Sequence, residues 1–335
     1  MKIASRPTAF LRVSIFAALL VLPGHAEWFK GQTHSHSNVS DGDSSPEDVA
    51  RWYQQYRYDF LFLTDHYGIT DVAPLNAAFG NNGKFLVMAG QEVTSNIDRF
   101  HIHVNALFSG PTLPLKPLVA AAAGTSALPI LQQNLDAVNA AGGVSQINHP
   151  NFYWAVTAAD IQASTGAVLM EIYSGNVNAN VYGAGPASPS AERMWDLVLS
   201  RGKKIWGVAS DDLHYLKVPW ARDKELPGRG WIVVRAPVLS APEIISAIRR
   251  GDFYSSTGVE IRDYNAAPGK IQVSVVPGTR VKYLVQFIGR DGQILQTTEG
   301  PTAEYAVKGT EGYVRAKVTA SNGQVAWMQP MMLTK

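Results

Sequence analysis

Short apolar runs of β type alternate with segments of helical period through the first three quarters of the chain, the pattern of βα units around a mostly parallel sheet. Residues 60–63, 85–88, 144–147, 167–172 and 205–209 read as strands, and residues 100–108 read as another by their alternation. Residues 46–56 carry the signals of a helix: Ser45 can cap it, Pro46 fits the first turn and Asp48 completes a capping-box pattern. Val49, Trp52, Tyr53 and Tyr56 recur at helical spacing and predict one buried face. Further helices are predicted over residues 129–141, stopped by Gly142-Gly143, over 191–200, stopped near Gly202, and over 240–250, with Pro242 near the start and Gly251 after the end.

From about Gly258 the texture changes. Residues 272–276, 281–288, 293–298, 303–307, 313–320 and 325–332 read as short strands, and Asp291-Gly292 and Asn322-Gly323 are hairpin turns. This predicts a small all-β, sandwich-like module over residues 259–335. It holds no histidine, so the chemistry is expected elsewhere, and bracing the larger domain is the expected role.

The N-terminus reads as a leader. Lys2, Arg6 and Arg12 lead into an apolar run over residues 13–22, followed by Pro23-Gly24-His25-Ala26, which predicts a signal peptide over residues 1–26 and a secreted or periplasmic protein. The run is too short to span a bilayer comfortably, and no later segment is apolar enough, so no membrane span is expected after its removal. Removing the leader's three basic residues from 29 leaves 26 against 27 acids, a net charge of −1. The chain has no dense basic run, so nucleic acid is not an expected partner. With no cysteine, thiolate zinc sites and thiol nucleophiles are excluded.

The chemistry lies in a series of histidines and acids placed just after successive apolar runs: His34 and His36, Asp41, Asp65-His66, Glu92, His103, His149, and Asp212 with His214. Imidazole and carboxylate are ligands of the divalent ions that drive hydrolysis. In parallel α/β barrels the reactive groups gather at the C-terminal ends of the strands, and five predicted strands, over residues 29–33, 60–64, 85–90, 144–148 and 205–210, end at such residues. His34 and His36, two apart in extended chain, share a face and can serve one ion. Asp41-Gly42 reads equally as a turn and as a ligand. His101 and His103 face the same side of one strand, and His103 is the preferred ligand. Asp211 is a candidate to orient a histidine from behind. Arg99 and Arg222, in loops near these segments, are candidates to bind an anionic group of a small-molecule substrate, with plain surface solvation the alternative. Tyr153, Trp154, Tyr215 and Trp220 either rim the site or pack under a long loop, with Tyr153 the candidate substrate contact. The stretch from Gly175 to Ser190, rich in Gly, Pro, Ser and Asn, is a candidate lid.

Thr33-His34-Ser35-His36 with Ser40-Asp41-Gly42, Leu63-Thr64-Asp65-His66, Glu92, His103, Asn148-His149-Pro150 and Ser210-Asp211-Asp212-Leu213-His214 together resemble the polymerase-and-histidinol-phosphatase (PHP) superfamily of metallohydrolases over roughly residues 29–258. The resemblance implies an α/β fold, a distorted (βα)7 barrel over residues 27–258, with two or three divalent ions (Zn, Mn or Fe). It implies that His34, His36, Glu92 and Asp212 hold one ion, that Glu92 bridges to a second held with His103 and His149, and that Asp41, His66 and His214 hold a third. Gly230-Trp231 and the run 247–258 further resemble the tail of the secreted branch named for carbaryl hydrolase. The expected function is hydrolysis by a metal-bridging hydroxide, with Glu92, Asp212 and His214 as catalytic candidates. Phosphomonoesters or phosphodiesters rank first as substrates. Carbamates, esters or amides are the alternative, and a non-catalytic metal-containing binding protein the third reading.

Overall fold

Helix α1 (Pro46–Gln55) begins as its sequence dictates: the Ser45 hydroxyl accepts a hydrogen bond from the Asp48 amide, and Pro46 occupies the first turn. Val49 and Tyr53 are buried. Tyr56, expected on the same face, is instead the exposed C-cap, stacked on Trp52 with ring centroids 4.1 Å apart. The backbone leaves helical geometry at this residue, so its side chain falls off the 3.6-residue stripe. The computed structural model describes residues 26–97, 100–110, 114–115 and 126–333, so apart from Ala26 the expected leader lies outside the described residues.

The other expected helices form within a residue of their predicted limits, as α3 (Leu128–Ala140), α5 (Ala191–Ser200) and α6 (Ala241–Arg250). Gly251 ends α6 in the left-handed conformation at φ 81°, and a Cβ there would lie 2.6 Å from the Trp206 ring. The short helices α2 (Ala73–Phe79) and α4 (Ala158–Ala163) escape a periodicity argument because neither completes two turns.

The first nine strands are β1 (Glu27–Gln32), β2 (Phe60–Leu63), β3 (Leu86–Ile97), β4 (Phe100–Leu107), β5 (Val144–Ile147), β6 (Leu169–Ser174), β7 (Trp206–Ser210), β8 (Trp231–Ala236) and β9 (Phe253–Ser256). They share one large sheet in the order β9-β8-β1-β2-β3-β4-β5-β6-β7. The pairs β1–β2, β2–β3, β5–β6 and β6–β7 are parallel; β3–β4, β4–β5, β1–β8 and β8–β9 are antiparallel. The sheet is therefore mixed, where a mostly parallel one was expected. The reason lies in β3, which runs on past Glu92 to Ile97 and returns directly as β4. A tight connection joins only antiparallel neighbours, since a parallel pair needs a crossover. Among the described residues no ladder joins β7 to β8. Asp211, just beyond β7, takes the amides of Arg229 and Gly230 just before β8, and Gln32 donates to the Gly230 carbonyl.

The remaining strands are β10 (Ile261–Ala267), β11 (Lys270–Val275), β12 (Tyr283–Gly289), β13 (Gln293–Glu299), β14 (Thr302–Ala306), β15 (Tyr313–Ala320), β16 (Val325–Met328) and β17 (Met331–Met332). β10, β11 and β14 form a separate antiparallel sheet, while β13-β12-β15-β16 continues the main sheet through β16–β9. Ile271, Val273 and Tyr305 of the small sheet share one core with Val285, Phe287 and Val318 of the large one. β10 was not anticipated because, Ile261 apart, its side chains are exposed or half-buried, so it shows no apolar alternation.

A buried ion network ties α5 to β15. Arg315 grips Asp196 through two hydrogen bonds of 2.8 and 2.9 Å, donates a third to Glu192 at 2.9 Å, and lies over the Trp195 ring. The Tyr313 hydroxyl donates to the same Asp196 carboxylate at 2.7 Å. Burial would raise the Glu192 carboxyl, but Arg315 and Lys317 hold it below its ordinary value. Its contribution to stability is therefore complete above about pH 4.3 and is lost as the pH falls through the depressed folded value. Arg315→Ala leaves the buried Asp196 carboxylate without its cation, while Glu192 keeps Lys317, and is expected to cost about 3–5 kcal/mol, read from the urea midpoint at pH 7.

Candidate metal centre

β1 ends at Gln32, and His34 and His36 follow in extended chain held by Ser35, whose amide and hydroxyl bond to Thr64 and Phe62 of the neighbouring strand. Glu92 lies midway along β3, His103 in β4, His149 two residues past β5, and Asp212 and His214 just past β7. His34, His36, Glu92 and Asp212 are almost completely buried. Their donor atoms meet within 4.8 Å of one another, as do those of Glu92, His103 and His149, and those of His36, Asp41, His66 and His214. All nine candidate ligands are thus brought together.

The decisive detail is which nitrogen of each ring is already committed. His34 Nδ1 donates to Glu171 Oε1 at 2.8 Å, and His214 Nδ1 donates to the Asp212 carbonyl at 2.9 Å. His103 Nε2 donates to Asn96 Oδ1 at 3.1 Å. Thr94 spends its hydroxyl proton on the Glu92 carbonyl, so at 2.6 Å it accepts from His66 Nδ1. Each brace fixes a tautomer and leaves the other nitrogen with a bare lone pair. These bare nitrogens face carboxylate oxygens: His34 Nε2 lies 3.0 Å from Asp212 Oδ1 and 3.3 Å from Glu92 Oε1, and His103 Nδ1 3.1 Å from Glu92 Oε1. His66 Nε2 and His214 Nε2 each lie 3.4 Å from Asp41 Oδ2. His149 has no such brace; its Nδ1 is buried without a partner, while Nε2 faces Glu92 at 3.4 Å.

Facing lone pairs repel unless a positive centre lies between them. His34 Nε2, His36 Nε2 and Asp212 Oδ1 are buried and have no hydrogen-bond partner despite separations of 3.0–3.2 Å. A cation accepting all three lone pairs fits, and the His/carboxylate donor set suits a divalent ion. His36 borders two of the three groups, but a neutral imidazole has one lone pair to give. Its Nε2 faces Glu92 and Asp212, which assigns it to the buried group and leaves Asp41, His66 and His214 as the outer one.

The carboxylates are tied from behind. Asn148 donates to Glu92 Oε1 and Asn176 to Asp212 Oδ2, each at 2.7 Å. Burial would raise Glu92 and Asp212, but positive charge on the surrounding histidines, His34 foremost, in the place a cation would take, holds both well below the usual carboxylate range. Asp212 sits at φ 51°, a left-handed conformation that aspartate tolerates better than most residues. Asp65 holds the 37–40 turn by accepting from the Ser37 amide and from the hydroxyls of Ser37, Ser40 and Thr70. Gly42 closes that turn; a Cβ there would lie 2.9 Å from the backbone of His36 and Ser37.

Asp211 does not orient a histidine as expected. It accepts from the Tyr53 hydroxyl and the amides of Gly228, Arg229 and Gly230, so its carboxylate secures the approach to β8. The residue that braces the centre from behind is Glu171, which also accepts from Ser210, Gln146 and the His149 amide. A lone carboxylate within the apolar run of β6 was the signal for it. A cleft of about 760 Å³ opens over the outer group, lined by Asp41, His66, His103, Thr94, Tyr67 and Tyr153 among others. Tyr153 therefore stands where a substrate contact was expected. Arg222 is exposed and does not line this cleft, and Arg99 lies outside the described residues. The Gly175–Ser190 stretch is tied down by Asn151, which donates to the carbonyls of Asn180 and Pro189.

Neither a family model nor a curated protein sequence matches the chain. Among solved structures it is similar to a two-domain protein of Bacteroides vulgatus described as containing a predicted PHP-like metal-dependent phosphoesterase. The identity is 15%, coverage is 97% of this chain and 100% of that one, and the TM-score is 0.52. It also matches an amidohydrolase of Chromobacterium violaceum at 17% identity, over 56% of this chain and 88% of that one, with a TM-score of 0.38. The first likeness shows a shared fold: a mixed α/β structure with a large central sheet and PHP-like neighbours.

Glu171→Gln removes the charge behind His34 and is expected to weaken divalent-ion uptake by about 10–100-fold, measured by chelator competition. Gly42→Ala is expected to displace Asp41, lowering the bound-ion count by at most one and sparing the buried group, measured by elemental analysis.

Proposed function

We propose that this protein is a metal-dependent hydrolase of the PHP type, acting on phosphoesters. One observation carries the reading: buried imidazole and carboxylate lone pairs converge on common points, with their tautomers fixed from behind. His34, His36, Glu92 and Asp212 would hold one ion, Glu92, His103 and His149 a second, and Asp41, His66 and His214 a third. Zinc, manganese and iron all accept this donor set. What such ions supply when bound is a water acidified toward a pKa of about 7 and polarisation of the oxygen under attack.

The chain's own residues do the rest. Glu92, with its two oxygens directed at different histidines, fixes the spacing of neighbouring groups. Among the described carboxylate oxygens of the three donor groups, Asp212 Oδ1 is the buried one without a hydrogen-bond partner, and we assign it the proton of the attacking water. His214, at the outer side, keeps its Nε2 directed at Asp41 by anchoring Nδ1 on the Asp212 carbonyl. A phosphoryl group, with several oxygens to share among neighbouring cations, suits three adjacent groups better than a carbonyl does. The same reading places the barrel at residues 27–258, the β module at 259–335, and the mature protein outside the cytoplasm after loss of its leader. Among the described residues no helix is long and apolar enough to cross a membrane.

The test is to measure bound metal in the mature protein and then turnover of p-nitrophenyl phosphate, bis-p-nitrophenyl phosphate and a 1-naphthyl carbamate. Phosphate-ester turnover with metal bound is expected, and turnover of the carbamate alone would replace the phosphoester reading. The double variant His34→Ala, His36→Ala is expected to lose metal from the buried group and at least about 1,000-fold in kcat/KM. Full turnover by that variant would end the proposal.

A further inference from the structure

Two tyrosines on the wall of the cleft are held in water at a cost that folding does not repay. Tyr67, next to His66, is 62% exposed at φ 58°, and Tyr153 is 63% exposed at φ 49°. Both line the cleft over Asp41, His66 and His103. A large aromatic side chain gains stability by burial, and neither ring is buried. A residue other than glycine in the left-handed region is strained, and such strain persists where the surroundings impose it, commonly at ligand sites. Exposure and strain are independent observations, and they coincide here at two separate points on one cleft.

The surroundings show how the rings are held. Tyr153 follows Phe152, whose ring lies 5.0 Å from His149 and 6.0 Å from His103, so the backbone turn that packs Phe152 toward the centre leaves Tyr153 exposed. One face of Tyr153 is stacked on His101 at 4.4 Å and 30°. His101 is itself steadied by Asn96, the residue that braces His103. The Phe152 ring meets Tyr153 edge-on at 4.6 Å, and with both contacts in place most of Tyr153 is still exposed. Tyr67 packs against His66 at 5.7 Å, which places its ring beside the outer group. The lining between them adds Val39 and Gly68 to the polar Ser40, Thr94 and Asn96.

We propose that Tyr67 and Tyr153 form an aromatic specificity site that receives a flat, uncharged ring carried by the substrate, so that the preferred substrates are aryl or heteroaryl esters. This rests on the hydrolase reading given above, and names the group attached to the bond that is cleaved. Two ring contacts of ordinary strength correspond to about a tenfold preference for an aryl over an alkyl substrate.

The experiment compares 1-naphthyl phosphate with methyl phosphate on the metal-loaded wild type, Tyr67→Ala, Tyr153→Ala, the double variant, and the Tyr→Phe pair. The expected result is a loss of about tenfold in kcat/KM for 1-naphthyl phosphate in the double variant, carried by KM, with methyl phosphate within about twofold and the Phe pair unchanged. Binding of 1-naphthol, followed by its fluorescence, is measured in parallel and is expected to weaken with the same variants. Because 1-naphthol has no scissile bond, this readout holds even if no phosphate is turned over. Naphthol binding that depends on the tyrosines, without phosphatase activity, would sink the phosphoester reading and keep the aromatic site. Equal losses on both phosphates, or naphthol binding indifferent to the substitutions, would overturn the aromatic site and leave the hydrolase reading standing. Tyr153→Gly separates a structural role: it relieves the backbone strain, so the melting temperature is expected to hold or rise while naphthol binding falls. A fall in melting temperature there would show that the ring serves the fold.

Discussion

Two carboxylates with almost no access to water, Glu92 and Asp212, set the terms for this molecule. A buried negative charge is tolerable only when donors or positive centres compensate it. Here compensation arrives from five strands at once, through imidazoles of which four have their remote nitrogens fixed by Glu171, Thr94, Asn96 and a backbone carbonyl. The sheet order, the strained backbone at Asp212 and the side-chain amides of Asn148 and Asn176 all serve that convergence.

Much of this was legible before any coordinates. The ligand series could be read because histidine and acid at the ends of apolar runs have no simple structural purpose, and each of the nine named residues falls within one of three donor clusters. The α1 cap, the α5 limits and the β2, β5 and β15 limits follow local rules that tertiary contacts did not override. What could not be read depends on partners distant in sequence. Strand direction at β3–β4 was hidden because the apolar run around 85–88 stops well short of the strand that continues to Ile97. Glu171 was hidden inside an apolar strand, its importance evident only once His34, 137 positions earlier, lies 2.8 Å away. Asp211 shows the converse: adjacency to a ligand suggested service to the centre, whereas its four donors belong to Tyr53 and the segment before β8.

The centre has two textures. The inner groups are sealed and braced, whereas the outer one is half open: Asp41 has a carboxylate 54% exposed and rests on a turn closed by Gly42. The inner half of the centre is thus rigid and the outer half more yielding. The cleft with its two strained tyrosines opens over the yielding half. Order at the core and adaptability at the mouth come from the same chain segments, 34–42 and 64–70, read from their buried to their exposed ends.

The ladder between β9 and β16 carries a different implication. Met328, Trp327 and Ala326 zip onto Tyr254, Ser255 and Ser256, so the last strands of the polypeptide finish a sheet begun near its start. Severing the chain after residue 258 would bare that edge and a file of unpaired amides, an invitation to self-association. Evolution or engineering could not simply swap the tail for another; a replacement would have to bring its own strand, in the same register, to close the seam.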